Sequence, residues 1–257
     1  MHIKKSSAAA VVALSSALMV AATPAMAAVT NPYFTDFTGV TIDKTASGAT
    51  DTWRMTGGYD AEITDVSGDS ALRISNAVTN GSFGDQLFSP TLDVPATETG
   101  PAHTFTASFV LEPVAYQEGL RVTVSPDNGQ GGRGGFLAIE HKDGGINLVS
   151  QGSHVENGVL TWTNTNVATG LDESKPHTVK LKLVKKADTK KSTNNDVLSV
   201  QVDGKPVKTT TFEAYYEATH AGDIQTDTLL FRLSGTAVTQ PDNAAGLLID
   251  DVTIATS

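Results

Sequence analysis

Apolar and polar residues alternate with a period of two along several short segments of this chain. The clearest alternation lies in residues 103–109 (HTFTASF), 177–183 (HTVKLKL), 120–125 and 229–234. A period of two places one set of side chains on the buried face of a β-strand and the other set on its opposite face. Weaker patterns predict further strands at residues 59–64, 71–76, 136–141, 146–150, 197–202 and 247–254.

Turn-forming residues separate the predicted strands, as in Ser67-Gly68-Asp69, Asp143-Gly144-Gly145 and Asp203-Gly204-Lys205. After residue 27 the chain has no sustained period near 3.6, although Phe212–Thr219 is compatible with one helical turn. The polar, Lys-rich segment Val184–Asn195 is expected to form an exposed hairpin loop. Many short strands with frequent turns predict an all-β fold, a two-sheet antiparallel β-sandwich of the jelly-roll type.

The first 27 residues have the three parts of a secretory signal peptide. Lys4 and Lys5 supply the charged start, an Ala-rich apolar stretch spans residues 8–22, and Ala25-Met26-Ala27 offers small residues for cleavage after Ala27. The alternative is a transmembrane anchor, but the apolar stretch is short and interrupted by Ser residues. We therefore expect residues 28–257 to form a single domain that is secreted, or periplasmic, without a membrane span.

The charge and the cysteine content narrow the classes of partner. The chain of 257 residues has no Cys and a net charge of -10, from 18 basic and 28 acidic residues. An acidic balance argues against non-specific binding to nucleic acid or to an anionic membrane, and it is compatible with neutral polymers and with cations. A hydrophobic fraction of 39% is sufficient for a substantial core without disulfides. These properties leave the oligomeric state open.

Several strand motifs resemble the concanavalin A-like and laminin G-like jelly-roll superfamily, in its secreted bacterial form. They are residues 70–75 (SALRIS), 177–181 (HTVKL), 200–207 (VQVDGKPV), the opening 31–34 (NPYF) and the closing 249–252 (IDDV). The resemblance spans most of residues 28–257 and implies a β-sandwich. It leaves the function open, because sandwiches of this superfamily serve as lectins, carbohydrate-binding modules, hydrolases, lyases and adhesion domains.

Most catalytic signatures are missing from the sequence. The chain has no Cys nucleophile, no Gly-x-Ser-x-Gly motif and no His-Glu-x-x-His motif. Retaining glycoside hydrolases on this jelly roll usually carry Glu-x-Asp-x-x-Glu or Glu-x-Asp-x-Glu, and neither is present. The nearest carboxylate pair is Glu213 with Glu217, for which a solvated pair is favoured over a catalytic one. Related lyases use His, Tyr and Arg, which this chain offers without a recognisable lyase motif.

A glycine-rich loop at residues 125–135 (SPDNGQGGRGG) is a candidate for ligand binding. Its glycines permit close backbone approach, and Ser125, Asp127, Asn128 and Arg133 supply polar groups that could meet sugar hydroxyls. The alternative is a flexible hairpin tip. Aromatic residues that could stack on a sugar ring, or serve in the core or its rim, are Trp53, Tyr59, Trp162, Tyr215 and Tyr216.

Two arginines on predicted strands extend this candidate surface. Arg121 and Arg232 alternate with apolar residues, so both are expected on the outer, ligand-accessible face of one sheet. A guanidinium among small hydroxyl side chains presents a fork of donors that suits sugar hydroxyls or a uronate carboxylate. His141 could form one wall of this site. The alternative is that each arginine is a solvated strand residue paired with a nearby acid.

A structural Ca²⁺ is expected near the chain ends. In the closing segment, alternation places Asp250 on the same face as Leu248, Val252 and Ile254, and a carboxylate that faces a core needs a partner or a metal. In the jelly rolls that the chain resembles, such an Asp joins ligands from the opening segment, here Asp36. The competing assignment turns Leu247 and Ile249 inward and exposes Asp251.

Taken together, these features favour a secreted carbohydrate-binding, lectin-like protein whose partner is a glycan or polysaccharide. An extracellular glycoside hydrolase or polysaccharide lyase on the same fold is the alternative, and a structural or adhesion protein is the third. The missing carboxylate motifs weigh against the hydrolase, so enzymatic activity is not the favoured interpretation.

Overall fold

The computed structural model describes residues 30–45, 50–58, 60–76, 86–94, 103–112, 116–188, 194–220, 225–234 and 246–257. Within these residues the chain forms sixteen β-strands and one α-helix. The strands lie in two sheets of eight strands each, which confirms the predicted all-β, two-sheet sandwich. In the same ranges, no helix combines the length and apolar character that crossing a bilayer requires. The predicted signal peptide lies outside the described residues.

The first sheet joins the two ends of the described chain. Its strands follow the order β14 (Lys208–Thr210), β13 (Val197–Val202), β12 (His177–Val184), β7 (Thr104–Glu112), β16 (Leu247–Thr256), β5 (Asp69–Ser75) and β4 (Asp60–Val66). Strand β1 (Thr30–Thr35) pairs with β16, so the first and last described strands lie side by side.

The second sheet carries the long hairpin of the fold. Its order is β11 (Val159–Leu171), β10 (Gly145–Glu156), β9 (Phe136–Lys142), β8 (Arg121–Asp127), β15 (Thr228–Ser234), β6 (Gln86–Phe88), β3 (Trp53–Thr56) and β2 (Ile42–Asp43). The described pairings in both sheets are antiparallel except that β2 and β3 are parallel. The helix α1 (Glu213–His220) follows β14 and contacts β10 and β11.

The core lies between the sheets and is formed by alternate residues of each strand. In β12, Val179, Leu181 and Leu183 face inward, and the polar residues between them are exposed. At the centre, the ring of Phe231 packs against those of Trp53 and Phe109, with centroids 6.1 and 5.8 Å apart. Each such buried ring contributes about 1.5–3 kcal/mol through the removal of apolar area from water. The alternation that predicted the strands therefore also forms the core.

The structure differs from the sequence predictions at a few elements. Strand β11 (Val159–Leu171) was not predicted, and the predicted single helical turn is the longer helix α1. In the segment Val184–Asn195, expected as an exposed loop, Lys185 is only 2% exposed. Its ammonium lies 5.0 Å from the centre of the Tyr216 ring, in a cation–π contact.

The closing strand contains a β-bulge that decides its orientation. Leu247 and Ile249 face the core before the bulge, and Val252 and Ile254 face it after, because Asp251 has a positive φ of 50° and shifts the register. The expectation that Asp250 points into the core together with Val252 is therefore wrong. Asp250 lies on the outer face of the first sheet, opposite Val110, and Asp251 is exposed, as the competing assignment predicted.

Candidate functional site

The outer face of the second sheet collects the polar residues of its central strands. In β8, Val122 and Val124 belong to the core, so Thr123 and Ser125 face outward. In β15, Phe231 faces the core and Arg232 faces outward, directly opposite Thr123. This outer face was predicted from alternation, and a cleft lies on it.

An open cleft of about 380 Å³ crosses this face, and we call it the aromatic cleft. Its lining residues come from β9, β10, β11, β15, the glycine-rich loop and the segment at α1: Arg133, Phe136, Gln151, Trp162, Phe212, Tyr215 and Arg232. Four aromatic rings, two guanidinium groups and one amide therefore converge from segments that lie far apart in the sequence.

The aromatic rings of the cleft pack on one another and stay outside the main core. The ring of Phe212 lies 5.9 Å from that of Phe136, nearly parallel to it, and 4.9 Å from that of Tyr215. Trp162 lies 5.6 Å from Phe212 and 5.1 Å from Tyr215, yet 48% of its surface is exposed. The neighbouring rings support one another, and Trp162 is the ring of this cluster that is most exposed to solvent, whereas Phe212 is buried.

Helix α1 is held at the end of the β10–β11 hairpin by backbone hydrogen bonds. The amide of Ser153 donates to the carbonyl of Thr211 over 2.8 Å, and the amide of Tyr215 donates to Ser153 Oγ over 3.0 Å. Asn194 Oδ1 accepts from the amide of Ala214, as a capping side chain does at the start of a helix. These bonds place Phe212 and Tyr215 beside Trp162.

The two arginines of the cleft are almost completely buried. Arg133 is 4% exposed and Arg232 is 8% exposed. Burial lowers the pKa of Arg133, and the nearby carboxylate of Asp127 opposes that effect. Arg133 lies 6.0 Å from the centre of the Phe136 ring. The guanidinium groups thus form a fixed part of the cleft and are not mobile surface charges.

Asp127 is the buried carboxylate behind the cleft. It is fully buried, and its Oδ1 accepts from the amide of Gly131 over 2.9 Å. Burial raises its pKa to about 6, against the opposing effects of this hydrogen bond and of Arg133. Arg54 also lies near it, donates to the carbonyl of Gly129 and rests 3.9 Å from the centre of the Phe88 ring.

The glycine-rich loop is folded down against the sandwich. Asn128 Oδ1 accepts from the amides of Gln130 and Gly132, and Asp127 forms a β-bridge with Arg133. A Cβ atom at Gly134 would lie 2.6 Å from Leu183 Cδ2, a core atom of the first sheet. The loop therefore uses its glycines for close packing, which contradicts the alternative of a flexible tip.

Three predicted site residues lie elsewhere or have a structural contact. Arg121 is on the same outer face but forms an ion pair with Glu140, with Nε to Oε1 at 2.8 Å, and does not line the aromatic cleft. His141 is 3% exposed, and its Nδ1 accepts from the amide of Gln117. Ser125 is fully buried, and its Oγ has no hydrogen-bond partner among the described residues.

Of the two predicted calcium ligands, Asp250 lies on β16 and Asp36 follows the adjacent strand β1. Thr35 pairs with Val252, so Asp36 immediately follows the strand next to the bulge that carries Asp250. Asp36 Oδ1 accepts from the amide of Thr38. Burial raises the pKa of Asp250, and the carboxylates around it add to that effect. The calcium site stays a prediction.

A second group of carboxylates lies behind the aromatic cleft, on the other side of α1. Ligand oxygens of Asp188, Glu213 and Glu217 all lie within 4.8 Å of one another. Glu213 is 3% exposed, and burial, together with Asp196 and Asp188, raises its pKa to about 7, although the amide of Asp196 donates to it. The expectation of a solvated pair at Glu213 and Glu217 is therefore wrong for Glu213.

The sequence identified part of the cleft and missed the rest. Arg133, Arg232, Trp162 and Tyr215 were among the candidates, and the structure brings all four together. Among the other proposed stacking residues, Trp53 lies in the core and Tyr216 is buried with its hydroxyl donating to Asp196, while Tyr59 lies outside the described residues. Phe136, Gln151 and Phe212 were missed.

The sequence matches no family model and no curated protein. Solved structures match it in fold. An alginate lyase in complex with an alginate trisaccharide has a TM-score of 0.52 at 12% identity, covering 88% of this chain and 98% of that chain. The CBM2 module of an evolved Dit protein from Lactobacillus casei BL23 phage J-1 has a TM-score of 0.47 at 12% identity, covering 87% and 94%.

A GH43 glycoside hydrolase, engineered for both endo-xylanase and exo-arabinofuranosidase activity, matches with a TM-score of 0.44 at 10% identity, covering 73% of this chain. The chain spans only 34% of the length of that hydrolase. At these identities, the likeness to the alginate lyase shows a shared β-sandwich fold.

Proposed function

We propose that this protein binds a saccharide chain in the aromatic cleft. One observation carries the proposal: four packed aromatic rings, two buried guanidinium groups and Gln151 line one open cleft on the outer face of the second sheet. An exposed aromatic face covers the apolar face of a sugar ring, and amide and guanidinium donors pair with its oxygen atoms. We also propose that the chain is a jelly roll of the concanavalin A-like superfamily, exported after cleavage near Ala27.

The comparison with solved structures supports this proposal indirectly. The alginate lyase that shares the fold is described in complex with an alginate trisaccharide, and the phage protein contains a module named for carbohydrate binding. Because a shared sandwich fold hosts many functions, the argument for this chain rests on the lining of its own cleft.

A second candidate is a lyase that acts in the same cleft. The observation that favours it is that Tyr215, which could move a proton, shares the cleft with Arg133 and Arg232. A hydrolase with two carboxylates is less well supported, because the described residues that line the cleft include no carboxylate. Release of unsaturated products, followed by ultraviolet absorbance, would separate a lyase from a binding protein.

The test is substitution of the exposed ring of the cleft. Trp162→Ala removes a side chain that is 48% exposed, so the fold should survive, while binding to the glycan that an array identifies should weaken roughly tenfold or more. Val155→Ala is the matched control, because Val155 is 59% exposed on the same hairpin and does not line the cleft. Equal affinity of the Trp162 variant and the parent protein would contradict the proposal, as would an array with no bound glycan.

A further inference from the structure

We propose that the aromatic cleft selects an anionic saccharide, an oligomer of uronate residues, over a neutral glycan of the same shape. This inference rests on the proposed function and specifies the chemical class of its ligand. The charge of the lining, the burial of that charge and the extent of the cleft across the sheet each support it.

The lining of the cleft is cationic in an acidic protein. The described lining residues include Arg133 and Arg232 and no carboxylate, whereas the whole chain has a net charge of -10. Asp127 lies behind the cleft and interacts with both Arg54 and Arg133, so one carboxylate is shared between two guanidinium groups. The described lining of the cleft therefore carries two cationic groups and no anionic one.

The burial of these arginines increases the effect of that charge. Because Arg133 and Arg232 are 4% and 8% exposed, a carboxylate that enters the cleft meets them in surroundings with little water, where opposite charges attract more strongly than on an open surface. A guanidinium also offers two parallel donors that match the two oxygens of a carboxylate. A neutral hydroxyl would gain less from the same group.

The residues that line the cleft come from strands on both sides of the sheet's centre. Trp162 lies on β11 and Arg232 lies on β15, and these strands are separated by β10, β9 and β8. Four interstrand spacings of about 4.8 Å place the backbones of β11 and β15 roughly 19 Å apart. An oligomer that lies across the strands could stack one ring on Trp162 and present the carboxylate of another ring to Arg232.

The experiment compares charged and neutral forms of the same oligosaccharides. Hexamers of galacturonate, mannuronate and guluronate, and their fully methyl-esterified forms, are titrated into the protein by calorimetry, beside neutral hexose hexamers. We expect at least one uronate hexamer to bind roughly tenfold or more tightly than its own methyl ester, because the ester removes the charge and keeps the rings. Equal binding of acid and ester would overturn the inference.

Variants separate the role of the cleft from a general charge effect. Arg232→Met should weaken uronate binding at least tenfold and weaken binding of a neutral hexamer clearly less. The uronate affinity of Arg232→Lys should lie between those of Arg232→Met and the parent, because Lys keeps the charge and loses the fork. Arg121→Met is the matched control, since Arg121 is on the same face, outside the cleft and paired with Glu140. Equal losses in the Arg121 and Arg232 variants would overturn the inference.

The same experiment distinguishes failure of the inference from failure of the proposed function. Binding of neutral hexamers that Trp162→Ala weakens, without preference for the uronates, would retain the saccharide cleft and refute its selectivity. Absence of binding to every hexamer would contradict both. Circular dichroism and the urea midpoint of each variant must match those of the parent protein, and if Arg232→Met fails this criterion, Arg232→Lys and the acid–ester comparison decide.

Discussion

Replacement of His141 by Asn should change how the stability of the protein depends on pH. His141 is 3% exposed, its Nδ1 accepts from the amide of Gln117 over 3.0 Å, and its ring stacks on that of Tyr116 at 5.5 Å. Its Nε2 has no hydrogen-bond partner among the described residues. In such surroundings the neutral ring is favoured, and burial lowers the pKa of His141 to about 4. Asn keeps an acceptor near the position of Nδ1 and does not titrate.

The size of this effect on the free energy of unfolding follows from the difference in the pKa of His141 between the folded and unfolded states. An unfolded His has a pKa of about 6.5, so the lowered pKa of His141 is equivalent to about 3 kcal/mol. Between pH 6.5 and pH 4 the unfolded state binds more protons than the folded state at this site. The contribution of His141 to the free energy of unfolding is therefore fully present above pH 6.5 and is lost as the pH falls toward 4.

Asp127 acts in the opposite direction over nearly the same range. Burial raises its pKa to about 6, above the value of about 3.9 in an unfolded chain, so the folded state binds more protons between these values. Its contribution is fully present below pH 4 and is lost as the pH rises to 6, again by about 3 kcal/mol. The two groups should largely cancel in the parent protein, which hides both titrations.

The assay is urea unfolding at pH values from 4.5 to 7.5, followed by tryptophan fluorescence, to which Trp53, 1% exposed in the folded state, contributes. Relative to the parent protein, His141→Asn should become more stable by about 3 kcal/mol on going from pH 7.5 to pH 4.5, whatever its offset at pH 7.5. His154→Asn, at a side chain that is 39% exposed, is the matched control, and its difference from the parent should stay within about 0.5 kcal/mol. A difference between His141→Asn and the parent that is independent of pH would refute the reasoning.

Two further predictions concern packing and metal binding. Gly134→Ala should lower the free energy of unfolding in urea by about 1–3 kcal/mol, because the added Cβ would lie 2.6 Å from Leu183 Cδ2. Gly58→Ala is the control, since its Cβ meets no atom within 4 Å, and it should lower the free energy of unfolding by less than about 0.5 kcal/mol. Equal losses in the two variants would contradict the close packing of the loop. If Asp36 and Asp250 bind Ca²⁺, added calcium should raise the melting temperature by roughly 2–4 °C for each kcal/mol of binding free energy. Asp250→Asn should abolish this rise. The site would be excluded if calorimetry shows no heat of Ca²⁺ binding and EDTA leaves the melting temperature unchanged.

Sequence patterns predicted the strands that have one buried face and one exposed face. Residues 177–184 form β12 with strict alternation of buried and exposed side chains, and residues 197–202 form β13 as predicted. Strand β11 was missed because it lies at the edge of the second sheet and is mostly exposed on both faces. Polar residues such as Thr161, Asn164 and Asn166 are tolerated there, so no apolar alternation marks the strand.

The orientation of the closing strand depends on a feature that alternation does not represent. A single bulge at Asp250 and Asp251 moves every later residue to the opposite face, so a period of two fails when it is read across the bulge. The local sequence does contain a signal. Two successive Asp residues inside an apolar strand are unusual, and Asp tolerates the positive φ that the bulge needs.

The residues of the aromatic cleft could be found individually but not as a set. Alternation places Arg232 on the outer face, yet the proximity of Trp162, Phe212 and Tyr215 to it depends on how β11 pairs with β10 and where α1 docks. Both are set by contacts between segments that are distant in sequence. Phe136 and Phe212 were not among the candidates, because an apolar side chain next to a core pattern carries no sign that it faces outward.

The glycine-rich loop shows how a structural role can produce a functional surface. Its Gly134 and Gly135 allow the backbone to approach Leu183 and Leu198 of the first sheet, and the amide of Gly134 donates to the carbonyl of Pro126 over 2.8 Å. This close packing of the loop backbone holds Arg133 against the end of β8, where Arg133 lines the cleft beside Phe136. Side chains at these two positions would push the loop away from the sandwich and move the guanidinium of Arg133 out of the aromatic cleft. The glycines therefore act on the cleft through backbone packing, and the polar groups of Asp127 and Asn128 fix the turn that carries the arginine.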